Sequence, residues 1–390
     1  MKTTVQTLTT PYQEVQLNHF HHLHQHPELP FAEYETSAYI KKALQSFGIP
    51  VDESFVDTTS VVAVLEGAEA GPTIAFRADM DALPIQEETD LPYASVNPGV
   101  MHACGHDSHA ATLLTLAQLL SEHKELVKGR VKFIFQAAEE QLPGGAKPLC
   151  EAGVMNDVDT FYAFHSVTPY PTGVVVSNPG ATSAAVGSFE ARVSGSGGHV
   201  AIPQVSRNPL NVACNIVNTL NQLLGTIDPM TPTLFGITYM HCGDKENVIA
   251  DEAVFGGSIR SFDNATVEML YHKVEQICRN LSEAAGCTCE VSIVKGYPAT
   301  MNAAKEQALV VEVANALGYE HRPTELALTG EDCSYYLLEK PGCFFTVGMS
   351  DPDHMDAAMP HHNSKFQLDD RGLHVALEMM VGIYLTATKA

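Results

Sequence analysis

Apolar and polar positions recur with two different periods along this chain, and each change of period marks an element. Residues 13–48 carry helical spacing, broken at Leu23-His24-Gln25-His26-Pro27-Glu28-Leu29-Pro30, where two prolines remove backbone donors from the ladder. Val61-Val62-Ala63-Val64-Leu65 and Thr73-Ile74-Ala75-Phe76-Arg77-Ala78 are short β-rich runs bounded by Gly and Pro, which predicts strands. Ala110 to Leu120 reads as a helix, and Lys132 to Gln136 and Phe161 to Phe164 as further strands. Three of these strands end in chemistry. The second runs directly into Asp79-Met80-Asp81, the third into Ala137-Ala138-Glu139-Glu140, and the fourth into His165. Open α/β sheets place their sites at such strand ends.

From about residue 184 to 294 the character changes. Val186 to Val193 alternates like a half-exposed strand, Asn208 to Leu224 reads as a helix, and Thr233 to Tyr239 and Val254 to Ile259 read as strands. A second helix over Val267 to Ala285 and a strand over Thr288 to Val294 complete a β-α-β-β-α-β order, which points to a ferredoxin-like α+β insert. Gln307 to Leu317 then reads as a helix, Phe344 to Gly348 as a strand and Leu373 to Thr388 as a closing helix. The expected fold is α/β: a discontinuous domain over 1–183 and 295–390, with a central mixed sheet flanked by helices, interrupted by an inserted domain over 184–294.

Length agrees with two domains, because single cores rarely grow past about 250–300 residues and the chain has 390. The formal net charge of −24 argues against nucleic acid or an anionic membrane as a partner, since both demand basic patches. Nine cysteines, odd in number and widely scattered, suit reduced thiols rather than a disulfide framework. The first residues lack an apolar leader core, and no run approaches the roughly 20 apolar residues of a spanning helix. A soluble, cytoplasmic protein is expected.

Candidate chemistry concentrates in His102-Ala103-Cys104-Gly105-His106-Asp107-Ser108-His109, at the junction of a loop with the helix that follows. Backbone N–H groups there favour thiolate and carboxylate, the forms that bind metal. A buried structural cysteine with scattered histidines, or a metal-free thiol hydrolase, would use the same residues. Glu139-Glu140 offers one carboxylate to coordinate and another to move a proton. Pro360-His361-His362-Asn363-Ser364 adds imidazoles near the C-terminal end. Gly195-Ser196-Gly197-Gly198-His199 lacks the Lys-Ser/Thr of a phosphate loop, and Pro203 follows before a helix could start. Cys287-Thr288-Cys289 has the wrong spacing for a zinc ribbon, and the histidines at 21, 22, 24 and 26 read as solvated helix flank or cap chemistry.

The ordered motifs Arg-Ala-Asp-Met-Asp-Ala-Leu-Pro (77–84), Met-His-Ala-Cys-Gly-His-Asp (101–107), Phe-Gln-Ala-Ala-Glu-Glu (135–140), Asn-Val-Ile (247–249), Gly-Ser-Ile-Arg (257–260), Thr-Gly-Glu-Asp (329–332) and His-Asn-Ser-Lys-Phe (362–366) span nearly the whole chain. They resemble the co-catalytic metallopeptidase and aminoacylase family, in its amidohydrolase branch of hippurate hydrolases, indole-acetyl-amino-acid hydrolases and N-acetyl-diaminopimelate deacetylases. Ala137 stands where that family commonly has proline, and the final histidine motif is varied. The resemblance implies Cys104, His106, Glu140, His165 and His362 as ligands of two divalent ions (Zn, Mn, Co or Ni). It implies a bridging Cys104, Glu139 as general base, and Asp81 orienting a ligand. It further implies that the insert is a lid that often dimerises, giving a homodimer or higher homo-oligomer, that His199 reaches the substrate carbonyl, and that Asn247 and Arg260 bind the substrate's carboxylate. The activity implied is cleavage of N-acyl amino acids to a carboxylate and a free amino acid. A dipeptidase or carboxypeptidase, and a non-catalytic binder of amino-acid conjugates, are the alternatives.

Overall fold

The computed structural model describes residues 1–55 and 58–389. The chain divides into two compact units, one comprising Met1–Thr182, Met301–Glu325 and the residues from Asp332 onward, the other Ser183–Thr300 and Leu326–Glu331.

The first unit is built on a seven-stranded mixed sheet with the strand order Val61–Glu66, Lys128–Gln136, Glu69–Asp79, Thr160–Pro171, Gly342–Ser350, Val174–Val176, Glu320–Arg322. Its four central strands, from Lys128–Gln136 to Gly342–Ser350, run parallel. Parallel strands are covered on both faces, and their sequences accordingly read as continuous apolar runs rather than alternating ones. The register sets Asp79 opposite Gln136 and Arg77 opposite Ala163, so the three strand ends carrying Asp79, Glu139 and His165 discharge on one side of the sheet.

The helix His106–Glu122 fills the middle of this unit and is buried from His106 to Leu120 except at Gln118. Past its polar first turn it is mostly apolar on every face, as a helix inside a core is. It packs with Gln13–Gln25, Tyr34–Ser46 and Arg371–Ala387 over the sheet, in a core that includes Phe20, Leu44, Phe76, Phe133, Phe135, Phe345 and Tyr384. The break predicted between residues 23 and 30 falls between the helices Gln13–Gln25 and Tyr34–Ser46.

The second unit is an antiparallel four-stranded sheet in the order Thr288–Lys295, Ala185–Ser194, Glu252–Ser261, Thr233–His241, with the helices Pro209–Asn221 and Asn264–Ala284 packed on it. Both helices begin with caps that their sequences foretell. Asn208 accepts from the Leu210 N–H before Pro209, and Asp263 accepts from the Thr266 N–H. This unit owns a separate core around Phe189, Phe255, Ile216, Leu220, Leu270 and Val274. Among the described residues, no helix of either unit is long and apolar enough to cross a membrane.

Candidate metal centre

The loop bearing Cys104 meets the buried helix through Gly105, whose φ of +88° lies in the left-handed region. A Cβ there would stand 2.2 Å from Ser166 Oγ, so a side chain is excluded by space as well as by backbone conformation. The turn holds Cys104 and His106 one residue apart at the C-terminal ends of the parallel strands. Two non-glycine residues at the centre also have positive φ, Ala138 at +54° and His362 at +64°. Such conformations cost of order 1–3 kcal/mol and persist where surrounding structure fixes them, typically at functional sites. Here the Ala138 N–H donates to Glu33 Oε1 at 2.8 Å, and the His362 N–H to the Ala103 carbonyl at 2.8 Å.

These loops converge on one cluster. Ligand atoms of Cys104, His106 and His165 lie within 4.8 Å of one another, as do those of Cys104, Glu140 and His362, and those of His106, Glu139 and Glu140. Two of the imidazoles, His106 and His165, are held by their other nitrogen. His106 Nδ1 donates to Asp81, with the backbone carbonyl at 3.0 Å and Oδ1 at 3.1 Å, so Nε2 is the nitrogen presented to the cluster. His165 Nδ1 donates to the Ser166 carbonyl at 2.7 Å, which leaves Nε2 facing Cys104 Sγ at 3.6 Å. Asp81 also accepts from the Glu140 N–H at 3.0 Å through Oδ2, so one carboxylate steadies both an imidazole and the backbone of an acid. Outer partners of this kind fix tautomer and ring orientation in metal sites.

The donor set fits a divalent ion. His106 Nε2 and Glu140 Oε1 are buried without a hydrogen-bond partner, and His362 Nε2 stands 3.0 Å from that oxygen without the alignment of a hydrogen bond. Buried polar atoms left unpaired are costly and rare, and a cation satisfies both at once. Two ligands of one tetrahedral zinc, with bonds near 2.3 Å to sulfur and 2.0–2.1 Å to nitrogen, stand about 3.5 Å apart. The separation of sulfur and His165 nitrogen, 3.6 Å, is compatible with that; His361 Nδ1 stands equally far from the sulfur, so the distance alone does not pick out the ligand. Thiolate, imidazole and carboxylate together suit borderline cations of the Zn, Mn, Co or Ni kind.

Without a cation the cluster is electrostatically uneasy. Burial pushes the Cys104 thiol well above its ordinary value. Burial also opposes an imidazolium at His106, but Asp79, with Oδ2 3.7 Å from Nε2, and the hydrogen bond to Asp81 act against it, and that pKa is raised. Burial likewise works against a charged Glu140, yet His362 and His106 hold it below the usual carboxylate range.

Behind this cluster lies a buried network that the sequence reading did not anticipate. Arg77 donates to Gln136 Oε1 (2.8 Å), Asp79 Oδ2 (2.7 Å) and Asp332 Oδ1 (2.8 Å), all fully enclosed. Asp79 Oδ1 in turn accepts from His109 Nδ1 at 2.5 Å, and His109 Nε2 accepts the Ser166 N–H at 2.8 Å. Burial drives His109 down to about 3, so it is neutral. The reading of the early histidines as solvated flank fails for His24, which is buried between Asp107 Oδ2 at 2.6 Å and Glu87 Oε1 at 3.2 Å. Only spacing hinted that His361 and His362 differ. His362 meets Glu140, whereas His361 places Nδ1 3.6 Å from Cys104 Sγ.

The remaining residues singled out in the sequence lie in the second unit. His199 is exposed, pairs with Val248 in a short ladder, and accepts the Ala201 N–H at 3.1 Å through Nδ1. Asn247 is exposed, with its carbonyl accepting from Val200 N–H, and Arg260 Nη1 donates to the Leu328 carbonyl.

Comparison with known proteins gives this geometry a family. A model described as peptidase family M20/M25/M40 matches residues 75–385. The chain belongs to that family. It is 35% identical over 355 residues to an N-acetylcysteine deacetylase of Bacillus subtilis, covering 91% of this chain and 92% of that one. It is 38% identical over 351 residues to thermostable carboxypeptidase 1 of Saccharolobus solfataricus, covering 89% of each. A crystal structure titled as a dinuclear metal-binding peptidase of the M20 family from Bacillus subtilis superposes with a TM-score of 0.83 at 31% identity, over 97% of this chain and 99% of that one. The chain is thus a hydrolase of amide bonds, on a mixed α/β scaffold shared with M20 peptidases.

Proposed function

We propose that this M20 hydrolase cleaves N-acyl amino acids, such as N-acetyl amino acids, to a carboxylate and a free amino acid. The observation that carries the reading is the convergence of Cys104, His106, Glu140, His165 and His362, with the buried carboxylate of Glu139 beside them. The five residues would hold two divalent ions of the Zn, Mn, Co or Ni type. When bound, the ions polarise the amide carbonyl and make a water acidic enough to ionise near neutral pH. Glu139 takes a proton from the attacking water at its carboxylate and delivers it to the leaving nitrogen, so that water and amide become acid and amine. Asp81 keeps His106 and the Glu140 backbone in place while this happens.

The unit containing 184–294 is read as a lid that pairs with a second copy. It offers His199 to the carbonyl oxygen, and Asn247 and Arg260 to the substrate's carboxylate. A guanidinium suits a planar carboxylate by two parallel hydrogen bonds. The chain's charge of −24 makes such a local cation necessary for an anionic substrate. A cytoplasmic location agrees with nine cysteines that are all free.

Reconstituted protein would be assayed against acetyl-, benzoyl- and longer-acyl amino acids beside dipeptides and C-terminally blocked peptides. Preference for acyl amino acids, abolished by a chelator and restored by added Mn or Zn, is the expected result. The carboxypeptidase relative supports a second reading, which faster hydrolysis of peptides than of any acyl amino acid would favour. No hydrolysis in fully metallated protein would leave only a binder of amino-acid conjugates.

A further inference from the structure

His361 stands next to a proposed ligand yet touches the cluster differently. The positive φ of His362 turns the two neighbours apart, so His362 meets Glu140 while His361 meets Cys104. The His361 ring packs 4.8 Å from the Phe366 ring and 5.3 Å from that of His165, and its Nε2 is buried without a partner. Among the described residues, every set of converging ligand atoms that includes Cys104 leaves His361 out. It therefore approaches the sulfur from outside the ligand set.

The chemistry of sulfur decides which atom donates. As a metal ligand Cys104 is a thiolate, which has no proton of its own and can only accept. A sulfur lone pair then faces His361 Nδ1 at 3.6 Å. If Nδ1 lacked a proton, two lone pairs would oppose each other in a buried site, so Nδ1 carries it and donates to sulfur. We propose that His361 is a positioning residue whose Nδ1–H is hydrogen-bonded to the Cys104 sulfur when that sulfur, as thiolate, holds a metal. The proposal rests on the metal reading above, since it assigns an outer partner to one of that reading's ligands. Such a bond orients the thiolate and draws electron density from it, which tunes the ion it binds.

Cobalt(II) reports on this bond without any turnover measurement. Wild-type protein loaded with cobalt should show a thiolate-to-cobalt charge-transfer band that Cys104→Ser lacks. Removing the donor raises the sulfur lone pair in energy, so His361→Phe should move the band to longer wavelength. It should still bind two cobalt ions per chain at saturation, with affinity weaker by roughly 10–100-fold. His361→Leu reads the same bond if the larger ring is not accommodated. The asparagine amide nitrogen falls where Nδ1 stood, so His361→Asn should bring the band back towards wild type. The longer glutamine reaches the Nε2 position instead, and His361→Gln should not restore it. An unmoved band in His361→Phe and His361→Leu would overturn the hydrogen bond, and loss of one cobalt at saturation would make His361 a ligand instead. If wild-type protein bound cobalt but showed no thiolate band, Cys104 would not be a ligand, and the metal assignment would fail together with this bond.

Discussion

Glu139 and Glu140 are the same residue type at adjacent positions, and what separates them is backbone geometry. With Ala138 at a φ of +54° and the Glu140 N–H tied to Asp81 Oδ2 at 3.0 Å, the chain is fixed on both sides of Glu139. Glu140 meets His362, while Glu139 stays buried beside His106. Glu140→Gln should therefore weaken metal binding, because a neutral amide oxygen is a poorer donor than a carboxylate. Glu139→Gln should keep both ions and lower kcat by roughly 10²–10⁴. Elemental analysis with kinetics on both variants checks this, and reversed metal contents would mean the roles are exchanged. The residue types were legible in the sequence because a thiol, imidazoles and carboxylates at strand ends have few other uses in that combination. The contact of His361 with Cys104 was not, since it follows from the backbone turn at one residue, which composition does not encode.

Elements explain why the cluster holds its shape. Arg77 sits on a central strand, fully buried, and neutralises Asp79 and Asp332, whose sequence positions lie 2 and 255 residues away. Burial alone would raise the Asp79 pKa, but Arg77, His106 and His109 hold it well below the carboxylate range. Arg77→Met should cost about 3–5 kcal/mol, the usual result of stripping one partner from a buried ion pair. Urea unfolding of the metal-free protein measures it, and a loss below about 1 kcal/mol would mean that the network is solvated. His24 pins the helix Gln13–Gln25 to Asp107 in the buried helix and to Glu87. Burial opposes its charge, but the hydrogen bonds to Asp107 and Glu87 outweigh it and push the pKa up from 6.5 to about 9. A folded pKa above the unfolded one adds stability that is complete below pH 6.5 and disappears as pH rises towards 9. A shift of that size corresponds to about 3 kcal/mol. Unfolding free energies measured between these limits should fall with pH in the wild type and lose most of that slope in His24→Gln. The strands and helices themselves were readable from periodicity, because each buries one face or all of itself. The placement of His24 was not, because its partners lie 83 and 63 residues away and local sequence shows only a histidine-rich helix flank.

At the scale of the whole molecule, the proposed ligands and Glu139 all belong to the unit with the mixed sheet, whereas His199, Asn247 and Arg260 belong to the unit with its own antiparallel sheet and core. Two cores imply two bodies, each able to hold its own residues in place. A change in residue chemistry along the chain could signal an insert, but not where its surface residues act. If His199 is lent across a dimer interface, a chain carrying His199→Ala still has an intact metal cluster, and a chain carrying Glu139→Gln still has an intact His199. Each variant alone should be nearly inactive, since each removes a group that acts on every turnover. In a mixed dimer one of the two sites combines the intact cluster of the first chain with the His199 of the second, so an equal mixture should regain up to about a quarter of wild-type activity, because half the dimers are mixed and half their sites are whole. Subunit exchange, followed by differently tagged chains, must be complete before the assay. Regained activity that rises and falls with the mixed-dimer fraction establishes a shared site, and its absence after proven exchange places His199 with the cluster of its own chain.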